Sequence, residues 1–140
     1  MDATIFSDSH VEGAVDLDDL RIRRCCGCVK CLTEEQGRCH IDDGFSGRFD
    51  DILGHRTLVF DVHPRGGRLP TIILKAVERV SNVLEAYTDS GGNVPLSCDS
   101  VALRDVEFHV HGDMDREDFE REMRADLEKG PVKAVSFFYD

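Results

Sequence analysis

The 140-residue chain reads as one α/β domain, residues 1–140, built on a mainly parallel sheet of four or five strands. Three observations predict this. The run Thr57-Leu58-Val59-Phe60-Asp61-Val62 is continuous enough to be a strand buried on both faces, as a parallel sheet demands. It is followed by Ile72, Ile73, Ala76, Val77, Val80, Val83 and Leu84 at helical spacing, an apolar stripe made to pack on a sheet. The chain then closes as strand, helix and strand, the alternation from which such sheets are wound.

Taken in order, Thr4 to Phe6 and Val15 to Ile22 bracket an acidic, Ser/Asp-rich opening. The second of these segments alternates only partly and reads as a short strand or extended stretch leading to the first cysteine. Beyond Asp43, Phe45, Phe49, Ile52 and Leu53 recur every three or four residues, so an amphipathic helix ends near Gly54, with Asp42 or Asp43 as its cap. The strand Thr57 to Val62 runs into His63-Pro64-Arg65-Gly66-Gly67-Arg68. Ligands of open α/β sheets sit outside the carboxyl ends of strands, which makes this loop a candidate site. Gly66 and Gly67 would let backbone amides approach an anion or a ring edge, and they serve equally as a flexible turn. A helix spans Leu69 to Leu84 with Pro70 in its first turn, and Thr88 to Ser100 is a loop. Val101 to Val110 is a strand, Asp115 caps a charged helix to about Lys129, Gly130-Pro131 stops it, and Val132 to Tyr139 is the last strand.

Charge narrows the function classes. With 28 acidic and 17 basic residues the net charge is -11, which disfavours nucleic acid and anionic membrane surfaces and leaves a basic partner open. No apolar run approaches the roughly 20 residues of a membrane helix, and the N-terminus lacks a basic region before an apolar one. The expectation is a cytoplasmic, reducing environment, in which the six cysteines are not three disulfides.

Five of those cysteines fall between Cys25 and Asp43, and Cys25, Cys28, Cys31 and Cys39 stand as C-x2-C-x2-C-x7-C. Two-residue spacers let three sulfurs converge, and Cys39 closes the site from the end of a short loop. Four thiolates suit an iron–sulfur cluster or a zinc ion. Cys26 lies off the pattern as a packed side chain or an exchange thiol, and Cys98 is most simply a packed thiol. A competing constellation is His109 and His111, two apart on a strand, with Asp113 or Asp115 nearby as metal ligands. The same histidines also fit a strand end facing water.

In this stretch the chain resembles the flavodoxin-like NAD(P)H-dependent flavin mononucleotide reductases, and within them the iron–sulfur flavoproteins. Ile22, Cys25, Gly27, Cys28, Cys31, Gly37, Cys39, Asp42 and Asp43 match the family's cysteine run, with a longer gap between the third and fourth cysteines. Leu74-Lys75-Ala76-Val77-Glu78-Arg79 is similar to a family Leu-Lys-Ala-x-x-Asp-Arg motif, one residue shorter and with Glu for Asp. The likeness covers about residues 15 to 80. It implies a reduced flavodoxin-like three-layer sandwich with helices on both faces. It also implies a [4Fe-4S] cluster on the four cysteines and flavin mononucleotide (FMN) contacts at His63, Pro64, Arg65, Gly66, Gly67 and Arg68. A redox protein or nicotinamide nucleotide would be the partner, and the site often lies across a subunit interface of a homo-oligomer. The chain departs from the family in two places. Ser7-Asp8-Ser9-His10 is a poor phosphate loop with no long helix after it, and His63-Pro64-Arg65 replaces the family's Pro-x-Tyr. The alternative function is therefore a binding or structural module that has lost flavin and holds zinc, or no metal, at the cysteines.

Overall fold

The computed structural model describes residues 2–28, 31, 36–89 and 94–140. The strands are β1 (Ala3–Ser7), β2 (Val15–Asp16), β3 (Thr57–Val62), β4 (Asp105–Val110) and β5 (Ala134–Tyr139). They form one all-parallel sheet in the order β2-β1-β3-β4-β5, the flavodoxin-like order, so the α/β architecture is as expected. Among the described residues the helices are α1 (Phe49–Gly54), α2 (Thr71–Leu84) and α3 (Arg116–Leu127), and none is long and apolar enough to cross a membrane.

Register explains the core. Phe6, Phe60, Phe108 and Phe137 are successive partners across β1, β3, β4 and β5, so their rings form a row on one face. Ring centroids along the row are 6.4, 5.2 and 5.5 Å apart, close enough for offset stacking beyond simple burial. Phe45, beside α1, meets Phe6, while Phe119 of α3 packs edge-on against Phe108 and Phe137. Ile73, Ala76, Val77, Val80, Val83 and Leu84 of α2 join the same core.

The other face carries Ile5, Val59, Glu107 and Ser136 in one row and Ser7, Asp61, His109 and Phe138 in the next, and none belongs to that core. Among the described residues all three helices thus share the phenylalanine face. The connection from β1 to β2, Asp8 to Ala14, is too short to lay a helix over the opposite one. Phe138 is accordingly half exposed.

Several boundaries move for local reasons. The helix before Gly54 shrinks to α1 with a single 3-10 turn, Ser46–Arg48, ahead of it. Pro70 is the N-cap of α2 and sits outside its first turn, with an extended ψ of 145°. The strand expected from Val101 begins only at Asp105, because Ala102 and Leu103 donate to the carbonyl of Leu53 and not to a neighbouring strand. Asp115 is at the N-cap of α3, but its carboxylate makes no capping bond.

Candidate functional site

The cysteine segment lies against the second half of α2, and one buried side chain organises it. Arg79 is fully enclosed, an arrangement a guanidinium tolerates only when its donors are satisfied. Its Nη1 donates to the Asp43 carboxylate at 2.6 Å and to the Arg23 carbonyl at 2.9 Å. Nη2 donates to Asp43 at 3.2 Å and to the Ser46 hydroxyl at 2.7 Å. Nε points at the sulfur of Cys39, 3.2 Å away, and the guanidinium lies over the Phe45 ring. Both ends of the cysteine segment, residues 23 and 39 to 46, are therefore tied to one helix position.

Asp43 is the second member of this arrangement. It accepts the backbone N–H of Arg23 at 2.8 Å and of Ser46 at 3.0 Å, besides pairing with Arg79, but neither it nor Asp42 is the expected helix cap: the N-caps of the 3-10 turn and of α1 are Phe45 and Arg48. Burial alone would raise its pKa, but the Arg79 hydrogen bonds, reinforced by those two amides, hold it below the usual carboxylate range. For Arg79 burial works against the charge, and Asp43 with Cys39 more than offsets it. Next to Arg79, Glu78 accepts the backbone N–H of Cys25 at 2.9 Å. Glu78 and Arg79 thus hold the first and last cysteines. The Leu-Lys-Ala motif contained both residues, but nothing in its spacing linked them to sulfurs some 40 or more positions away.

Cys25, Cys28, Cys31 and Cys39 line one pocket, floored by Ile41, Val83 and Asn82 and closed by Arg79. Cys28 is exposed and the other three are half-buried. Burial, and then the neighbouring Cys39, Cys25 and Cys28, push the Cys31 thiol above its ordinary pKa. The cavity between them is small, about 20 Å³. Gly37 turns the chain toward Cys39 with φ of 79°, a left-handed conformation that favours glycine, and donates to the Cys31 carbonyl at 2.8 Å. Cys26 is exposed and outside the pocket, and Cys98 sits in a separate 3-10 turn, Cys98–Ser100.

The loop after β3 is a tight hairpin. Arg65 and Arg68 exchange backbone hydrogen bonds of 2.9 and 3.2 Å, and Gly66 and Gly67 both have positive φ, as a type I′ turn requires. The glycines are therefore used for the turn, and the Arg65 and Arg68 amides are consumed within it. His63 points elsewhere: its Nδ1 is 2.7 Å from Asp8 and its ring stacks on His111. From the start of α2 to Asn82, beside the cysteines, is about 16 Å along the helix axis. Residues 63 to 68 and the thiol pocket therefore sit at opposite ends of that helix.

The structure does not bring His109 and His111 together. His109 faces Glu107 at 3.0 Å and lies edge-on to Phe138, while His111 turns past the strand end to Asp61 and Asp140. Asp113 and Asp115 are exposed and form no part of either arrangement. His63 and Asp61 are the partners that sequence reasoning missed, because Asp61 looked like an ordinary member of a buried strand. The chain matches no family model, no curated protein and no solved structure.

Proposed function

We propose that the chain is a small oxidoreductase or electron-transfer protein whose Cys25, Cys28, Cys31 and Cys39 hold an iron–sulfur cluster, as in the iron–sulfur flavoproteins it resembles. The observation that carries this reading is the convergence of four thiols on one pocket. A bound cluster would supply one-electron chemistry. The chain's own contribution is to position and tune. Arg79 donates to the Cys39 sulfur and places a buried positive charge beside it, which favours the reduced, more negative state. Ile41 and Val83 keep water from one side, while exposed Cys28 offers a side from which a partner can approach. An acidic surface of net charge -11 suits a basic redox protein, and a nicotinamide nucleotide is the small-molecule counterpart.

Flavin mononucleotide at His63 to Arg68 belongs to the resemblance, and the hairpin offers it neither the Arg65 nor the Arg68 amide. A second reading, zinc or structural use of the cysteines in a module without flavin, is favoured by the small cavity, with room for about one water-sized body. Anaerobic purification with metal and sulfide analysis and a visible spectrum separates the two. Iron and sulfide with a broad visible band support the cluster; stoichiometric zinc in a colourless protein refutes it.

A further inference from the structure

At the carboxyl edge of the sheet, on the far side of the fold from the thiol pocket, lies a second group of ligand-type side chains. Asp61 sits near the end of β3, His63 just beyond it, and His111 just after β4. One ligand atom from each lies within 4.8 Å of the other two. Asp61 is 9% exposed; its Oδ1 is 2.6 Å from His111 Nε2 and its Oδ2 accepts the Ser7 hydroxyl at 3.0 Å. The rings of His63 and His111 stack with centroids 4.9 Å apart.

Each imidazole also has a carboxylate on its other side. His63 Nδ1 faces Asp8 at 2.7 Å, and the second Asp8 oxygen accepts the His63 backbone N–H at 2.8 Å. His111 Nδ1 faces Asp140. A carboxylate behind Nδ1 is the arrangement found behind metal-bound histidines; at His111 the Nε2 that donates to Asp61 would give up its proton to the solvent when an ion takes that place. Charge points the same way. The Asp8 and Asp61 side chains are only 5% and 12% exposed, and among the described residues their ion-pair partners are these histidines, with no lysine or arginine. These nearly buried carboxylates need a positive charge beside them, which His111 can supply as an imidazolium paired through both nitrogens and which a bound cation would supply in its place. The place is the one where open parallel sheets bind ligands, at the strand ends beside the β1/β3 switch point.

We propose that Asp61, His63 and His111 bind a divalent transition-metal ion, of which zinc is the representative, with Asp8 and Asp140 as positioning residues for the two imidazoles. Two imidazoles and one carboxylate match zinc's preferred donors and leave a fourth position for water or a ligand. The site can be reached, since the His63 and His111 side chains are 41% and 36% exposed. Ligands on one tetrahedral ion stand about 3.3 Å apart, so the Asp61–His111 pair, now 2.6 Å apart, must open by about 0.7 Å to admit it.

The test must exclude the thiols, so the background is the full chain with Cys25, Cys28, Cys31 and Cys39 all changed to Ser, titrated with Co2+ and then Zn2+. The expected result is one Co2+ per chain, with ligand-field bands and no thiolate charge-transfer absorption, displaced by Zn2+. His63→Ala and His111→Ala should each lower affinity at least about tenfold, and Asp8→Asn and Asp140→Asn by about 10- to 100-fold. No stoichiometric binding, or binding that survives both histidine changes, overturns the proposal. If the serine background or a variant fails to fold, the unmutated protein decides, with its thiols blocked by alkylation. Of its six histidines, the ring-nitrogen NMR signals of two should move strongly on adding Zn2+, and the proposal falls if none does.

Discussion

Replacing Asp43 by Ala removes one partner of a pair whose side chains are 0% and 1% exposed, leaving the Arg79 guanidinium enclosed without its counter-charge. The Ser46 hydroxyl and Arg23 carbonyl still accept from Arg79, but the Arg23 and Ser46 amides lose their acceptor. Breaking a buried pair from one side costs about 3–5 kcal/mol, a large share of the roughly 5–15 kcal/mol that holds a domain together. With a urea slope of about 2 kcal/mol/M, the unfolding midpoint should fall by about 2 M. Asp43→Asn keeps the shape and an accepting oxygen and should lose about 2 kcal/mol. The double change Asp43→Leu with Arg79→Met removes both charges and should cost less than Asp43→Ala alone. The pH dependence follows from the depressed pKa of Asp43. Its contribution is fully present above the unfolded-state value near 3.8 and is lost as pH falls through the lower folded value, so wild type and Asp43→Asn should converge in stability only in strong acid. An Asp43→Ala midpoint shift under about 0.5 M at neutral pH would refute the view that this pair anchors the cysteine segment.

Other changes test the site from different sides. Cys25→Ser, Cys28→Ser, Cys31→Ser or Cys39→Ser should each strip or sharply reduce bound iron and sulfide in anaerobic preparations, whereas Cys26→Ser and Cys98→Ser should leave the iron and sulfide content unchanged. Gly37→Ala should destabilise by about 1–2 kcal/mol from the left-handed backbone alone. Its new methyl would also meet Leu96 and the Tyr87 hydroxyl at 3.0 and 3.1 Å, so a thermal melt and metal retention should both register the change. Adding FMN to the anaerobic protein should leave flavin fluorescence unquenched, because the amides nearest the strand end are bonded within the hairpin; clear, saturable quenching would restore the strand-end flavin site.

Much of the fold was legible because it rests on short-range pattern. Thr57 to Val62 is β3 to the residue, and the α2 stripe from Ile73 to Leu84 packs as its spacing predicts. Convergence of the cysteines was legible for the same reason, since two-residue spacers restrict where neighbouring sulfurs can go. The rest depended on contacts between residues far apart in the chain. Periodicity marks Arg79 as a polar position on α2 and cannot show that Asp43, Cys39 and Ser46 enclose it. Gly66-Gly67 is compatible with an anion loop or a turn until the bonds between Arg65 and Arg68 decide for the turn. The histidine pair was sought two apart along one strand, where local geometry would place it. Parallel pairing of β3 with β4 instead sets Asp61 and His63 beside His111, a neighbour some 50 positions away that only the assembled sheet provides.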